Sequence, residues 1–138
     1  MEGGYFYLQL AEARRLYHQG RNYHLYRRYE RARVKYLEIL RKYPGTLYAE
    51  KSQFWLGQIF FRQGNAKRAL KSFLDFVYRW PDSVWRMRAY DRLADIYRRQ
   101  NELERAAEFE KRALEDPLVP TASRLVRRGL NRSVREGP

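Results

Sequence analysis

Asp91 and Asp95 stand four residues apart, a spacing that would set two carboxylates one helical turn from each other, as paired acid–base chemistry requires. Arg88, Arg92, Arg98 and Arg99 surround them, and on a helix that arrangement is ordinary i, i+4 ion pairing. His18 and His24 lie six residues apart, too far round a helix to share a metal ion. No Asp, Glu or His set completes a site around them; solvated helix histidines are the commoner case, and lining a surface is the alternative. The sequence contains no cysteine, which excludes disulfides, thiolate metal sites and cysteine nucleophiles. It has neither a phosphate-cradling glycine loop nor a Gly-x-Ser-x-Gly elbow. No catalytic residue, metal or cofactor is expected, and the chain reads as a non-enzyme.

Charge is the feature that asks for a partner. Lys and Arg number 29 against 16 Asp and Glu, for a net charge of +13. One reading is helix-surface decoration by Arg, a good helix former; the other is an acidic partner, because a field of this size attracts polyanions and anionic surfaces. Tyr23 to Tyr36 interleaves Tyr with Arg and Lys, which invites a nucleic-acid reading through phosphate contacts and base stacking. Against it, Tyr29, Ala32 and Tyr36 fall on one helical face suited to packing, and no nucleic-acid-binding motif accompanies them.

The 138 residues suffice for one domain with a core or a short stack of helical repeats. With 44% hydrophobic and 16% aromatic residues, disorder is not expected despite 33% charged residues. Leu, Ala, Arg, Glu and Tyr dominate over β-branched residues, which favours helix. Met1 to Leu10 lacks the basic n-region and long apolar core of a signal peptide, and no run approaches a membrane span. The expected compartment is the cytoplasm if the chain is complete; a periplasmic setting stays open if it is an excised or processed domain.

The elements that position these residues recur every 37 residues. Ala32, Ala69 and Ala106 are in register, as are Tyr23, Phe60 and Tyr97, and Leu40, Val77 and Leu114. Gly20, Gly57 and Ala94 form a small-residue set; Tyr43-Pro44 and Trp80-Pro81 recur, with Asp116-Pro117 one residue early. Within a unit, Leu56, Gly57 and Phe60 mark one helical stripe and Ala69, Leu70, Phe73, Leu74 and Val77 another, separated by Gln63-Gly64-Asn65. Pro81 with Asp82-Ser83 is expected to end one helix and cap the next. Small residues at Gly57 and Ala69 let the two helices of a unit approach, and Phe60 and Phe73 are expected to fill the gap to the neighbouring unit. Gln19-Gly20-Arg21-Asn22 could be a turn, but the period makes Gly20 a packing residue inside a helix from about Tyr5 to Tyr26, with the turn at Arg27-Arg28. A last helix from Thr121 to about Arg135, with Leu130 and Val134 in register, is expected to cap the open end. Its basic face leaves docking on an anionic surface as the alternative.

Gln53-x-x-Leu56-Gly57-x-x-Phe60, then Ala69-x-x-x-Phe73, then Pro81, resembles the tetratricopeptide repeat signature. Gln53 replaces the usual Trp, with Trp55 nearby; Glu110 stands where an aromatic is expected, with Phe109 beside it; Gln19 replaces a Leu. The resemblance covers roughly residues 10 to 117. The repeat style, 37 residues closed by Tyr-Pro, is similar to that of bacterial outer-membrane-assembly lipoproteins and periplasmic cell-division coordinators, although the lipoprotein cysteine is absent. The implied fold is all-α: a short right-handed α-solenoid of three helix-turn-helix units, about 8–44, 47–81 and 84–117, plus the capping helix, in one domain over 1–138.

The resemblance also implies where a partner would sit, because in this family the first helix of each unit lines a concave groove. Projected onto this sequence, that face carries Arg14, Tyr17, His18, Arg21 and His24, then Lys51, Phe54, Trp55, Gln58, Phe61 and Arg62, then Arg88, Asp91, Arg92, Asp95 and Arg99. The partner-binding residues expected among them are Arg14, Tyr17, Arg21, Lys51, Phe54, Trp55, Gln58, Arg62, Arg88, Arg92 and Arg99. Arg88 and Arg92 match the spacing of a cationic pair by which some members hold a terminal carboxylate, but the companion asparagines are missing. The expected function is a protein-interaction scaffold that binds an acidic segment in a basic, aromatic-lined groove. The alternatives are a basic domain for nucleic acid or an anionic membrane surface, and self-association through end faces.

Overall fold

The computed structural model describes residues 2–118. Among these residues there are six helices and no strand: α1 (Glu2–Leu25), α2 (Tyr29–Lys42), α3 (Leu47–Arg62), α4 (Ala66–Arg79), α5 (Arg86–Arg99) and α6 (Leu103–Glu115). The described residues up to Ser83 form one compact unit and those from Val84 to Leu118 a second. In the first unit α1 packs on α2 and α3 on α4, and α3 also packs on α2 and α1; in the second, α5 packs on α6. The expected capping helix from Thr121 to Arg135 lies outside the described residues. No described helix is long and apolar enough to cross a membrane.

The three hairpin turns repeat one backbone device. Arg27, Gly64 and Asn101, each 37 residues from the next, take left-handed φ values of 58°, 73° and 60°. The following amide then reaches back across the helix end: Arg28 N–H to Tyr23 O at 2.8 Å, Asn65 N–H to Phe60 O at 2.9 Å, Glu102 N–H to Tyr97 O at 2.8 Å. These bonds satisfy carbonyls that a helix terminus leaves unpaired, and each turn reverses the chain in three residues. Gly64 adopts the conformation without a Cβ penalty; Arg27 and Asn101 bear it. The turn at Arg27-Arg28 and the continuous α1 through Gly20 are as the period predicts, and Gln19-Gly20-Arg21-Asn22 remains helical.

The small-residue positions are where the helices of a hairpin touch. A Cβ on Gly20 would lie 2.8 Å from the Tyr36 ring, and one on Gly57 would lie 2.7 Å from the Phe73 ring. Phe73 therefore fills the interior of its own hairpin, rather than the gap to a neighbouring unit as the sequence predicts. It is fully buried and meets Phe54 edge-on at 5.7 Å. Phe60 is half-buried with the Arg68 guanidinium over its ring. In the third hairpin the register position of Tyr36 and Phe73 is Glu110, which bonds Arg98, and the aromatic moves to Phe109, stacked on Tyr97 at 5.8 Å and 10°.

Helix ends follow the prolines. Tyr43 and Trp80, each before a proline, leave the helical region at φ −130°, ψ 51° and φ −127°, ψ 66°. Thr46 caps α3 by accepting the Ala49 N–H at 3.3 Å. The expected cap of α5 by Asp82-Ser83 is not formed: α5 starts at Arg86, its N-cap is Trp85, and no side chain caps it. What ties that end down is an ion pair. Arg86 Nε donates to Asp116 Oδ2 at 2.5 Å and Nη2 to Oδ1 at 2.8 Å, with both side chains largely buried. Asp116 also accepts the Leu118 N–H at 2.9 Å, so the start of α5 and the chain leaving α6 are held by one carboxylate.

Two stability predictions follow from these contacts. Gly57→Ala gains about 1 kcal/mol of helix propensity but collides with a ring that has no room to retreat, an overpacking cost of about 1–3 kcal/mol. Urea denaturation should show net destabilisation, and Gly57→Ala combined with Phe73→Leu should recover part of it. Arg86→Ala leaves the buried Asp116 carboxylate without this partner and should lower unfolding stability by about 3 kcal/mol. A variant as stable as the wild type would remove the pair from the account of α5.

Candidate functional site

The first unit contains a cleft of about 520 Å³ lined by Arg21, His24, Leu25, Arg27, Tyr29, Trp55 and Arg62. Three segments build it. The last turns of α1 supply Arg21, His24 and Leu25; the left-handed turn supplies Arg27 and leads into Tyr29 at the start of α2; α3 supplies Trp55 and, at its C-terminal end, Arg62. Three lining residues are arginines and none is acidic.

Trp55 organises the wall. Its Nε1–H donates to the Tyr17 hydroxyl at 2.9 Å, while the Arg21 guanidinium lies 3.6 Å from the ring centre. Stacking of this kind holds the guanidinium in place by cation–π attraction, worth about 0.5–2 kcal/mol. Arg21 Nη1 also donates to His24 Nδ1 at 3.2 Å, and the Tyr36 hydroxyl stands 3.3 Å from the same nitrogen. A guanidinium can only donate, so Nδ1 is the acceptor and the His24 ring proton sits on Nε2. The imidazole makes T-shaped contacts with the rings of Tyr29, Tyr36 and Trp55 at 5.6, 6.1 and 5.4 Å. Burial among these rings, then the charges of Arg21 and Arg62, push the His24 pKa down from 6.5 to about 4. Burial likewise pushes the Tyr36 hydroxyl up to about 12 and raises Tyr17.

Of the residues expected at a partner-binding face, the structure brings Arg21, Trp55 and Arg62 together in this cleft. Phe54 and Tyr17 are not on an open face. Phe54 is 1% exposed and in ring contact with Phe73 and Phe76, each at 5.7 Å; Tyr17 is 9% exposed, between Tyr36 and Tyr48. Both are core residues, because helical projection assigns a face but not the depth to which the facing helix covers it. Arg14 is exposed, and Lys51 lies over the Tyr17 ring at 5.9 Å; neither these two nor the half-buried Gln58 lines the cleft. In the second unit Arg88 is exposed over Trp85, Arg92 pairs with Asp95 at 4.0 Å, and Arg99 is exposed near the end of α5. Asp95 also accepts from Arg98 at 2.8 Å, so this carboxylate is engaged by two of the flanking arginines. No group of three or more His, Cys, Asp or Glu able to hold a metal occurs among the described residues.

Leu25, Arg27 and Tyr29 line the cleft and were not legible as lining residues. The signal that could have found Arg27 is its register: it stands 37 residues before Gly64, the turn residue of the next hairpin. A chain reversed by a left-handed residue throws that residue's side chain out at the hairpin tip.

The His24 environment has a thermodynamic consequence. An unfolded imidazole takes its proton near 6.5, the folded one near 4, so between these values the unfolded chain binds more protons. The contribution of neutral His24 to stability is therefore complete above pH 6.5 and is lost as pH falls towards 4. Thermal melts across this window should show a drop in midpoint that His24→Gln flattens, and NMR titration of the ring should give a midpoint near 4. A midpoint near 6.5 would contradict the buried, arginine-flanked geometry.

Comparison with curated proteins found no match. A family model described as tetratricopeptide repeat matches residues 48–116, half of the 138-residue chain, and takes in α3 to α6. The repeated hairpins, the left-handed turns at one spacing and this match agree, and the chain belongs to the tetratricopeptide repeat family.

Proposed function

We propose that this protein is a non-enzymatic interaction scaffold that holds an acidic segment of another protein against arginine-bearing faces of its hairpins. Tetratricopeptide repeats generally mediate protein–protein interaction, which makes a protein the first partner to consider. The observation that carries the reading is the cleft of the first unit, where Arg21, Arg27 and Arg62 converge beside Trp55 and Tyr29 with no acidic residue in the lining. Guanidinium groups pair with carboxylates in bidentate geometry, and flanking aromatics supply the apolar anchors that dominate interface energies. The second unit, taken by itself, carries Arg88, Arg92 and Arg99 on α5, with Arg92 paired to Asp95. A second reading, binding to nucleic acid or an anionic membrane, has the net charge of +13 in its favour.

Charge reversal separates these readings. Arg62→Glu, Arg88→Glu and Arg92→Glu should together abolish capture of the native partner while far-ultraviolet circular dichroism stays unchanged. Capture that survives intact would put the binding face elsewhere. A salt series adds the class: steep loss of binding to any polyanion, whatever its sequence, favours nucleic acid or membrane, whereas salt-tolerant binding to one protein favours the scaffold.

A further inference from the structure

We infer that the cleft of the first unit is a receptor for a phosphate monoester carried on a protein side chain. The inference rests on the scaffold reading above and narrows its ligand. Its ground is the direction from which the donors come. Arg21 and His24 reach the cleft from α1, Arg27 from the hairpin turn and Arg62 from the end of α3. A carboxylate presents two oxygens in one plane, which one or two guanidiniums satisfy. A phosphate monoester presents three acceptor oxygens pointing three ways and carries about −1.5 to −2 charge at neutral pH. Donors arriving from three separate segments match the second shape better than the first.

Charge and size agree with this. Three guanidiniums without a lining carboxylate leave a surplus that a single carboxylate would not balance. Arg21 is held between Trp55 and His24, so part of the recognition surface is ordered before any ligand arrives. With Nδ1 accepting from Arg21, the remaining polar edge of His24 is its Nε2–H, a donor in the neutral ring. A volume of about 520 Å³ is larger than a phosphate group needs and lies in the range of pockets that enclose an organic ligand. The aromatic walls at Trp55 and Tyr29 suit the ring of a phosphorylated tyrosine more than a short aliphatic linker.

Arg27 provides a test that a purely structural role would not pass. It holds a left-handed φ of 58°, where glycine is at ease, so Arg27→Gly removes a guanidinium without straining the turn. The full chain is titrated calorimetrically in about 0.15 M salt with a short phosphotyrosyl peptide, the same peptide carrying Glu instead, inorganic phosphate, and a single-stranded oligoribonucleotide. The phosphopeptide should bind about tenfold or more tightly than the Glu peptide, and Arg27→Gly should weaken it about tenfold with an unchanged or raised melting midpoint. Equal affinity for the Glu peptide, still dependent on Arg62, would leave the scaffold reading standing and overturn this inference. So would an Arg27→Gly variant that binds the phosphopeptide as the wild type does. Inorganic phosphate binding as tightly as the phosphopeptide would show that no protein side chain is needed. Tighter binding of the oligoribonucleotide would assign the cleft to nucleic acid. Binding of neither peptide would overturn the inference, while the scaffold reading is judged separately by capture of the native partner.

Discussion

Each of the first two hairpins depends on one close approach, in which a helix that lacks a side chain receives the ring of its partner. Tyr36 lies against Gly20 and Phe73 against Gly57, at distances that a Cβ would close to under 3 Å. The ring thus packs directly on the partner helix's backbone at these glycines, and buried alanines at Ala32 and Ala69 accompany the approach. The third hairpin confirms the logic by exception. Its ring position is occupied by Glu110, and the facing small residue is Ala94 rather than glycine. Phe109 then stacks on Tyr97 and restores the aromatic filling from one residue away.

The same approach creates the conditions for the cleft. With Tyr36 pressed on Gly20, its hydroxyl reaches His24 one turn further along α1. His24 is then enclosed by rings from α2 and α3 and flanked by Arg21, which is itself fixed on Trp55. Burial and positive neighbours both disfavour a protonated imidazole, so the ring stays neutral through the physiological range. A polar network of this kind specifies geometry as much as it stabilises, since each partner restricts the rotamer of the next.

The second unit uses charge where the first uses aromatic packing. Arg86 and Asp116 join the two ends of a single hairpin through a bidentate, largely buried pair. The hydrogen bond to Glu110, opposed by burial and aided by Asp95, holds the Arg98 guanidinium even more firmly protonated than usual. Pairs like these leave much less cationic surface than the raw composition of α5 implies. The net charge of the chain and the charge available to a partner are therefore different quantities.

The sequence by itself determined the repeat: a 37-residue register of small residues, aromatics and prolines has no cheaper physical solution than stacked helical hairpins. It placed the first turn at Arg27-Arg28 against the local appeal of Gln19-Gly20-Arg21-Asn22, because three register sets outweigh one polar tetrapeptide. It also identified Arg21, Trp55 and Arg62 as residues on the first-helix faces. Only the tertiary structure decided depth. Phe54 and Tyr17 share helical faces with Trp55 and Arg21, yet the facing helices cover them, and no periodicity in a single helix encodes how far its neighbour reaches. It also decided which cations meet: Arg27 joins Arg21 and Arg62 because a left-handed turn brings the hairpin tip beside α3, a convergence of three segments that adjacency along the chain does not contain.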